Sequence, residues 1–249
     1  MARFSVLEEL HAKTEEHAVR VKIVRKWNTM IRQRPAACVM ILGDEKGSTM
    51  EATLPRDVVL PKGIDLEEAD WFEIYNFKLI RVIELVRPTR SKYGIKFTQA
   101  TSFRKIQPIV DSNFLELANF TAVLKGHSHP MYCIDLCGAM VAVGELQQLQ
   151  ELGAGEIYSY QNTRMEFTLV NTELRNLRCV AYGKEAVTLS EYYRNSRAPV
   201  DVCVLRAWRI HWGEGGFRYV TNLEGCSEVL FDHDMEEIKK FKSKIPIIE

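Results

Sequence analysis

The amino-acid sequence predicts an all-β protein made of two tandem five-stranded barrels. Apolar residues recur at every second position in short segments, as in Val19–Val24, and aromatic and β-branched residues fill Trp71–Val86. Such residues suit a pleated, half-buried surface. Short strands joined by turn residues, without long helical patterns between them, are typical of a β-sandwich or a β-barrel.

A hairpin pattern that occurs once in each half of the chain predicts the duplication. Ile41–Asp44 and Met50–Leu54 are apolar segments on either side of a polar turn, and Leu169–Thr172 and Leu177–Tyr182 repeat this arrangement. A repeat at a spacing of about 130 residues indicates two copies of one domain rather than a single large fold.

The boundary between the two copies is predicted near Ile106–Ser112. The first domain then covers residues 1–110 and the second covers residues 111–249. Asn113–Leu124 carries apolar residues at helical spacing and is predicted to be a partly helical connection.

Short helical inserts complete the predicted architecture. Lys184–Asn195 can form one or two helical turns between the hairpins of the second half, and Pro55–Asp70 is predicted to be a loop with short helical turns at the matching place in the first. Asp234–Lys244 has acidic residues first and basic residues last, which favours a C-terminal helix. Strand, hairpin, short helix and hairpin, in that order, are the plan of the OB-fold barrel, whose open face binds oligonucleotides.

The two halves differ in charge, although the whole chain is neutral. Residues 1–110 hold 19 of the 33 basic and 14 of the 33 acidic residues, a net charge of +5, and the remainder carries −5. A basic half suits phosphate binding, because neutralised phosphates release counterions. A charge of this size is also ordinary for a soluble domain, and both interpretations stay open.

The cysteines and the apolar segments predict the compartment. The six cysteines include no C-x-x-C pair, so neither a zinc site nor a disulfide framework is predicted, and we expect buried thiols in a reducing compartment. Met1–Arg20 is too charged for a signal peptide. No apolar run reaches the ~18 residues of a transmembrane helix. We expect a soluble intracellular protein that does not act at a membrane.

No arrangement of residues predicts catalysis. His127-Ser128-His129 resembles a metal-binding or catalytic pair, but no third ligand lies nearby in the sequence. Gly213–Gly216 is not followed by the G-K-[ST] of a phosphate-binding loop. We therefore expect a non-enzymatic protein with no catalytic residue, no metal and no cofactor.

Two segments interleave aromatic and basic residues, as expected of a groove for single-stranded nucleic acid. The first runs from Trp208 to Tyr219, and Trp212 lies in it at a glycine-rich hairpin tip, where we expect its side chain to be exposed. The second is the loop Arg25–Arg34, for which a solvated surface loop is the alternative. The basic and aromatic residues of the second segment are Arg25, Lys26, Trp27, Arg32 and Arg34.

The same segments resemble plant-type proteins related to the large subunit of replication protein A. Val19–Trp27 followed by Met40–Gly47 resembles the first binding barrel of that family, and Phe114–Phe120, Ile134–Gly138 and Val180–Gly183 resemble its second. The resemblance covers nearly the whole chain in the same order. It implies two OB-fold barrels that bind single-stranded DNA by base stacking and phosphate contacts. It also implies a nuclear protein of DNA replication, repair and recombination, with other replication protein A-type subunits as partners.

In the second barrel the resemblance implies four site residues. Tyr182 and Trp212 match the two base-stacking positions of the family, and Arg164 and Arg209 match nearby basic positions. For Tyr182, a cap on the barrel core is the alternative.

In the first barrel the match is incomplete. Trp27 and Arg25 match first-loop residues and Phe97 matches one stacking position, but the other stacking position falls on Cys38, which cannot stack on a base. Phe97 alternates with Ile95, so both point to one face, and a place in the core is the alternative for Phe97.

The sequence therefore predicts single-stranded DNA binding, and RNA fits the same stacking chemistry. The alternative is an OB-fold module for protein–protein interaction, because a fold does not by itself define a function. Whether Trp212 and Tyr182 face a common groove with Arg209 distinguishes the two. A tRNA-binding accessory barrel would require a more basic chain.

Overall fold

The structure is a computed structural model, and it is mostly β with a few short helices. The chain divides into two compact units, Met1–Phe114 and Leu115–Glu249. The first unit extends four residues past the predicted boundary. None of the described helices is long and apolar enough to cross a membrane. The described residues are 3–11, 18–31, 34–149, 162–231 and 234–245, without the side chains of 30–35.

Seven strands are present in the described part of the first unit. A short 3-10 helix, Leu7–Glu9, precedes them, and Leu7 is buried in the core. The strands are β1 (Ala18–Ile31), β2 (Arg34–Asp44), β3 (Thr49–Pro55), β4 (Trp71–Tyr75), β5 (Lys78–Arg81), β6 (Tyr93–Lys96) and β7 (Ser102–Ile106).

The sheet of the first unit closes into a barrel through one interrupted strand. Its order is β5-β6-β3-β2-β1-β4-β7. β4 and β5 follow each other in the chain and are separated only by Asn76 and Phe77, so together they connect β1 to β6. Asn76 adopts a left-handed φ of 58°, which asparagine tolerates better than most residues. Around the barrel the strands therefore follow the order β1, β2, β3, β6 and then the interrupted strand β5–β4, which returns to β1; β7 is added along β4.

The described residues of the second unit form seven strands and three helices. Asn119 caps α1, because its side chain accepts a hydrogen bond from the backbone N–H of Ala122 at 3.1 Å. The elements are α1 (Phe120–Leu124), β8 (Ile134–Val141), β9 (Gln147–Gln148), β10 (Thr163–Val170), β11 (Asn176–Tyr182), α2 (Lys184–Asn195), β12 (Val202–Gly213), β13 (Gly216–Thr221), β14 (Glu228–Leu230) and α3 (Glu236–Lys242).

The second sheet closes in the same order as the first. It runs β11-β13-β12-β8-β10, and an additional pairing of β10 with β11 completes the ring. Period-2 alternation fills the interior, as in β10, where every other residue from Thr163 is buried. α3 packs Ile238 and Phe241 into a smaller cluster with Val202 and Val204 of β12. Both units are OB folds, as the sequence predicts.

The predicted inserts have different outcomes. Lys184–Asn195 is helical, as expected, although it is a full helix of 12 residues. Helices are also present within Asn113–Leu124 and Asp234–Lys244. The prediction of short helical turns in Pro55–Asp70 is wrong, since that segment contains only hydrogen-bonded turns such as the bond from Ile64 N–H to the Pro61 carbonyl.

Candidate nucleic-acid interface

The outer face of β10, β11, β13 and β12 brings together three of the four predicted residues of the second barrel, Arg164, Tyr182 and Arg209. Leu177, Cys179 and Ala181 of β11 point into the core, so Tyr182 lies on the outside. The strand register continues this face outward from β11, through the pairing of Val180 with Thr221 and of Thr221 with Arg209. Tyr182 and Arg209 therefore share one outer surface, which meets part of the condition set for the nucleic-acid interpretation; Trp212, the third residue of that condition, is not on this surface. We call it the aromatic face: Arg164, Glu166, Arg178, Val180, Tyr182, Arg209, His211, Tyr219 and Thr221.

Stacked rings form the centre of the aromatic face. His211 and Tyr219 are cross-strand partners whose ring centroids lie 4.6 Å apart with an interplanar angle of 13°. The side chain of Tyr182 is hydrogen-bonded to that of Tyr219. Burial, followed by the nearby Tyr219, raises the pKa of Tyr182 above its usual 10.0, so the phenol is neutral at physiological pH. A neutral, ordered aromatic cluster is a suitable platform for a nucleobase.

Asn222 holds Tyr182 in place. Its side-chain oxygen accepts a hydrogen bond from the Tyr182 backbone N–H at 2.8 Å, and its amide nitrogen donates to the Tyr182 carbonyl at 3.2 Å. The same amide donates to Glu185 of α2 at 3.1 Å. Asn222 thus ties the end of β11 to the end of β13 and orders the aromatic ring between them. No pattern in the sequence marks Asn222 for this role.

Arginines flank the aromatic rings and share one carboxylate. Arg164 lies opposite Tyr182 in the β10–β11 register and forms an ion pair with Glu166. Arg178 donates to the other oxygen of Glu166, with its Nη2 at 2.7 Å. Hydrogen bonding from Arg178 is the main cause that lowers the pKa of Glu166. The Nε atoms of Arg164 and Arg209 are buried and have no hydrogen-bond partner within the described residues.

Trp212 is a correction to the prediction. Its side chain is half-buried rather than exposed, and it packs against the core of the second barrel. It follows the inward-facing Trp208 and Ile210 at period 2, and its indole lies so close to Gly126 that a Cβ there would be 3.0 Å from Cη2 of Trp212. The register of β12 and β13 shifts between His211 and Trp212, so that His211 is paired with Tyr219 whereas Trp212 is paired with Phe217. Trp212 therefore closes the end of the barrel and does not lie on the aromatic face.

The first barrel presents a different outer face. Met40, Ala52 and Ile95 point into the core, so their chain neighbours point outward. The register joins these neighbours into one row across five strands, which we call the lysine row: Trp27, Val39, Thr53, Lys96 and Lys78.

Phe97 is also a correction. Its side chain is 1% exposed and packs edge to face against Phe103, with ring centroids 5.0 Å apart, so no ring surface is open to a base. The alternative that Phe97 is a core residue is the one the structure supports. Cys38 packs against the same core, half-buried. Its pKa is raised, mainly by burial.

The prediction of a loop at Arg25–Arg34 is wrong, because residues 25–31 belong to β1 and Arg34 begins β2. The charge of this basic segment is partly neutralised by the segment between β3 and β4. Arg25 Nη1 lies 2.7 Å from Glu68 Oε1, and Lys26 Nζ lies 2.7 Å from Glu67 Oε1. Trp27 is half-buried on the outer side of β1. Arg32 lies outside the described residues, and only the backbone of Arg34 is described, in β2.

The remaining predictions concern metals and thiols. Within the described residues, no group of three or more His, Cys, Asp or Glu side chains could hold a metal ion. Nδ1 of His129 accepts a hydrogen bond from the Met131 N–H at 3.1 Å, which uses that nitrogen locally. All six cysteines lie within the described residues and none is in a disulfide bond; four are buried, while Cys38 and Cys133 are half-buried.

Sequence reasoning missed five residues of these faces. Lys96 directly precedes Phe97 in the sequence. Assigning Phe97 to the core would therefore have placed Lys96 on the outer face. Tyr219 lies in the aromatic–basic segment that the sequence singles out, but nothing there separates it from its inward neighbours. The missed residues are Lys78, Lys96, His211, Tyr219 and Asn222.

Fold and face together describe a two-barrel OB-fold protein with an aromatic, arginine-flanked surface on its second barrel. Residues 8–126, slightly under half of the chain, match the family described as domain of unknown function DUF223. No curated protein shows a significant match to this sequence.

Solved structures share the fold. A replication protein A heterotrimer bound to single-stranded DNA is similar with a TM-score of 0.57 and 17% sequence identity. That match covers 96% of this chain and 54% of the other, so this chain spans about half the length of the protein it matches.

Two other structures are less similar. Fission yeast Pot1 with single-stranded DNA has a TM-score of 0.34 and 10% identity, over 97% of this chain and 92% of the other. A murine DNA-binding protein with double-stranded DNA has a TM-score of 0.40 and 8% identity, over 85% and 93%. At these TM-scores neither structure is evidence about the fold or the function of this protein.

Proposed function

We propose that this protein binds single-stranded DNA, without catalysing a reaction, and that the aromatic face of the second barrel is the principal binding surface. The observation that carries the proposal is the placement of Tyr182, Tyr219 and His211 on one outer face between Arg164 and Arg209. Rings stack on unpaired bases of any sequence, and guanidinium groups neutralise the adjacent phosphates.

The face favours a single strand over a duplex. In a duplex the bases stack on each other and present only their edges in the grooves. A flat stacked pair such as His211 and Tyr219 gains binding energy only from a base whose face is open. We further propose that the protein acts in the nucleus, in DNA replication, repair or recombination, with replication protein A-type subunits as partners, as the family resemblance implies.

The test is a fluorescence-anisotropy titration of a labelled single strand of ~30 nucleotides, since OB folds occupy ~4–16 nucleotides each. The wild type should bind it more tightly than the matching duplex, and more weakly as salt rises. Because each stacked base contributes ~1–3 kcal/mol, Tyr219→Ala should lower the affinity by about 5- to 150-fold. The matched control is Tyr193→Ala, which removes an exposed tyrosine of α2 away from this face.

An RNA strand of the same sequence is titrated beside the DNA strand. Equal affinity for the RNA and the DNA strand would indicate that the protein binds single-stranded nucleic acids in general. If the wild type binds neither strand at low salt, the proposal fails and a protein-interaction module becomes the better account.

A further inference from the structure

The segment Lys78–Lys96 of the first barrel is unusually basic. It holds six Lys and Arg residues and one acidic residue, Glu84. Arg87 donates two hydrogen bonds to backbone carbonyls of this segment, to Glu84 at 3.1 Å and to Val82 at 3.0 Å, and thereby stabilises the loop between β5 and β6. This concentration of charge lies outside the basic segment Arg25–Arg34.

Two of the six basic residues lie directly opposite each other. Lys78 and Lys96 are cross-strand partners in the β5–β6 ladder, and both side chains are exposed. Like charges at such positions destabilise a sheet. Among the residues that the structure describes, neither lysine is in an ion pair. The fold therefore places two positive charges opposite each other on adjacent strands.

The lysine pair lies at one end of the lysine row. Lys96 is followed by Thr53, Val39 and Trp27 in the register of the outer face. Adjacent strands are about 4.8 Å apart, so the row crosses about 19 Å of surface. This is the strand face on which OB folds bind oligonucleotides, and it connects the lysine pair to the half-buried ring of Trp27.

This face supplies charge but little stacking. Phe97 is in the core, and the most exposed large side chains of the β5–β6 loop are the aliphatic Ile83 and Leu85, at 80% and 85%. Aliphatic groups offer no π-face to a base. The lysine pair must then act through electrostatic attraction, which does not depend on base identity.

We propose that Lys78 and Lys96 form a phosphate site on the first barrel, which binds the backbone of a single-stranded nucleic acid. This inference rests on the proposed function. It assigns the first barrel salt-dependent affinity without sequence preference. The lysine pair lies at one end of the strand face on which OB folds bind oligonucleotides. A nucleic acid is therefore favoured over an acidic protein segment as the ligand.

The experiment measures the slope of log K against log salt for a ~30-nucleotide single strand. Each phosphate contact on a single strand contributes a slope of about −0.7, so Lys78→Gln/Lys96→Gln should make the slope shallower by ~1.4. The control, Lys46→Gln/Lys62→Gln, removes two exposed lysines of the same unit that lie outside the row and should leave the slope near that of the wild type. Tyr182→Ala/Tyr219→Ala should lower the affinity at every salt concentration with little change in slope.

The outcomes separate the two proposals. If the wild type binds and the lysine variant keeps the wild-type slope, the phosphate site is wrong and the proposed function stands; an acidic protein segment then becomes the ligand to consider. If the wild type does not bind at all, both are overturned. A thermal melt confirms that each variant is folded, and we expect the lysine variant to be at least as stable as the wild type, since it relieves a like-charge pair.

Discussion

His211 and Tyr219 stack face to face on the outside of the second barrel, with ring centroids 4.6 Å apart. The two rings come from neighbouring strands, β12 and β13, immediately before a shift in their register. The two rings therefore limit each other's motion, because one ring can rotate only by losing contact with the other. An ordered ring loses less conformational entropy when a base stacks on it.

Removal of the supporting ring tests this arrangement. Aromatic pairs of this kind contribute about 0.5–1.5 kcal/mol, so His211→Ala should weaken single-strand binding by roughly 2- to 10-fold while Tyr219 remains present. His211→Phe keeps a stacked ring and should bind like the wild type. Anisotropy titration gives both values. Equal weakening in the two variants would show that the imidazole itself contacts the strand.

Glu166 limits the positive charge of the aromatic face, because Arg164 and Arg178 both pair with its carboxylate. Glu166→Gln keeps the size of the side chain and removes its charge. We expect tighter single-strand binding and a steeper salt dependence, by about 0.7 for each arginine that gains a phosphate. Glu173→Gln, in the exposed turn of the same hairpin, is the control. A loss of affinity in Glu166→Gln would instead mean that the carboxylate holds the arginines in their binding positions.

The segment that ends the first unit packs against the first barrel through Phe114. A Cβ on Gly43 would lie 2.5 Å from Cε1 of Phe114, whose ring is 6.4 Å from that of Trp71. Lys22 also donates from Nζ to the carbonyl of Ser112 at 2.7 Å. Gly43→Ala should therefore displace the Phe114 ring and lower the free energy of unfolding by about 1–3 kcal/mol.

A double-mutant cycle isolates this contact. Urea unfolding of Gly43→Ala, Phe114→Ala and the double variant gives the coupling between them. The glycine substitution should be nearly neutral once the ring is gone, so the two effects should not add. If the two changes in the free energy of unfolding were fully additive, the destabilisation by Gly43→Ala would arise within the strand and not from its contact with Phe114.

Glu51 should make the stability of the first barrel depend on pH. It lies on the outer side of β3, opposite Ile41, and burial, together with the charge of Glu84, raises its pKa from 4.5 to about 7. The folded state then binds a proton that the unfolded chain releases near pH 4.5. This contribution to stability is complete below pH ~4.5, decreases as the pH rises, and is lost above about 7.

Thermal melts of Glu51→Gln at two pH values measure the effect. The variant should be more stable than the wild type at about pH 8 and nearly equal to it at about pH 4.5, because only the ionised carboxylate carries the desolvation cost. Glu84→Gln should give a smaller gain at about pH 8. Glu9→Gln, at an exposed position, is the control. The same gain at both pH values would contradict a titration of Glu51.

Much of the architecture follows from local pattern. Period-2 alternation in Val19–Val24 and in Asn176–Tyr182, and the repeated hairpin, predict β strands and two copies of a barrel, because burial of one strand face requires this spacing. The helix in Lys184–Asn195 is equally local. Tyr182, Arg164 and Arg209 could be selected from family resemblance and all lie on one outer face.

The sequence by itself determined the strands, the duplication and part of the aromatic face. Only the tertiary structure decided which residue of each alternating pair faces outward, so that Lys96 rather than Phe97 is exposed and Tyr219 rather than Trp212 lies beside Tyr182. The physical reason is that barrel closure depends on hydrogen bonds between distant segments, such as those that pair Val180 with Thr221. A one-residue shift in register moves every side chain of a strand to its other face.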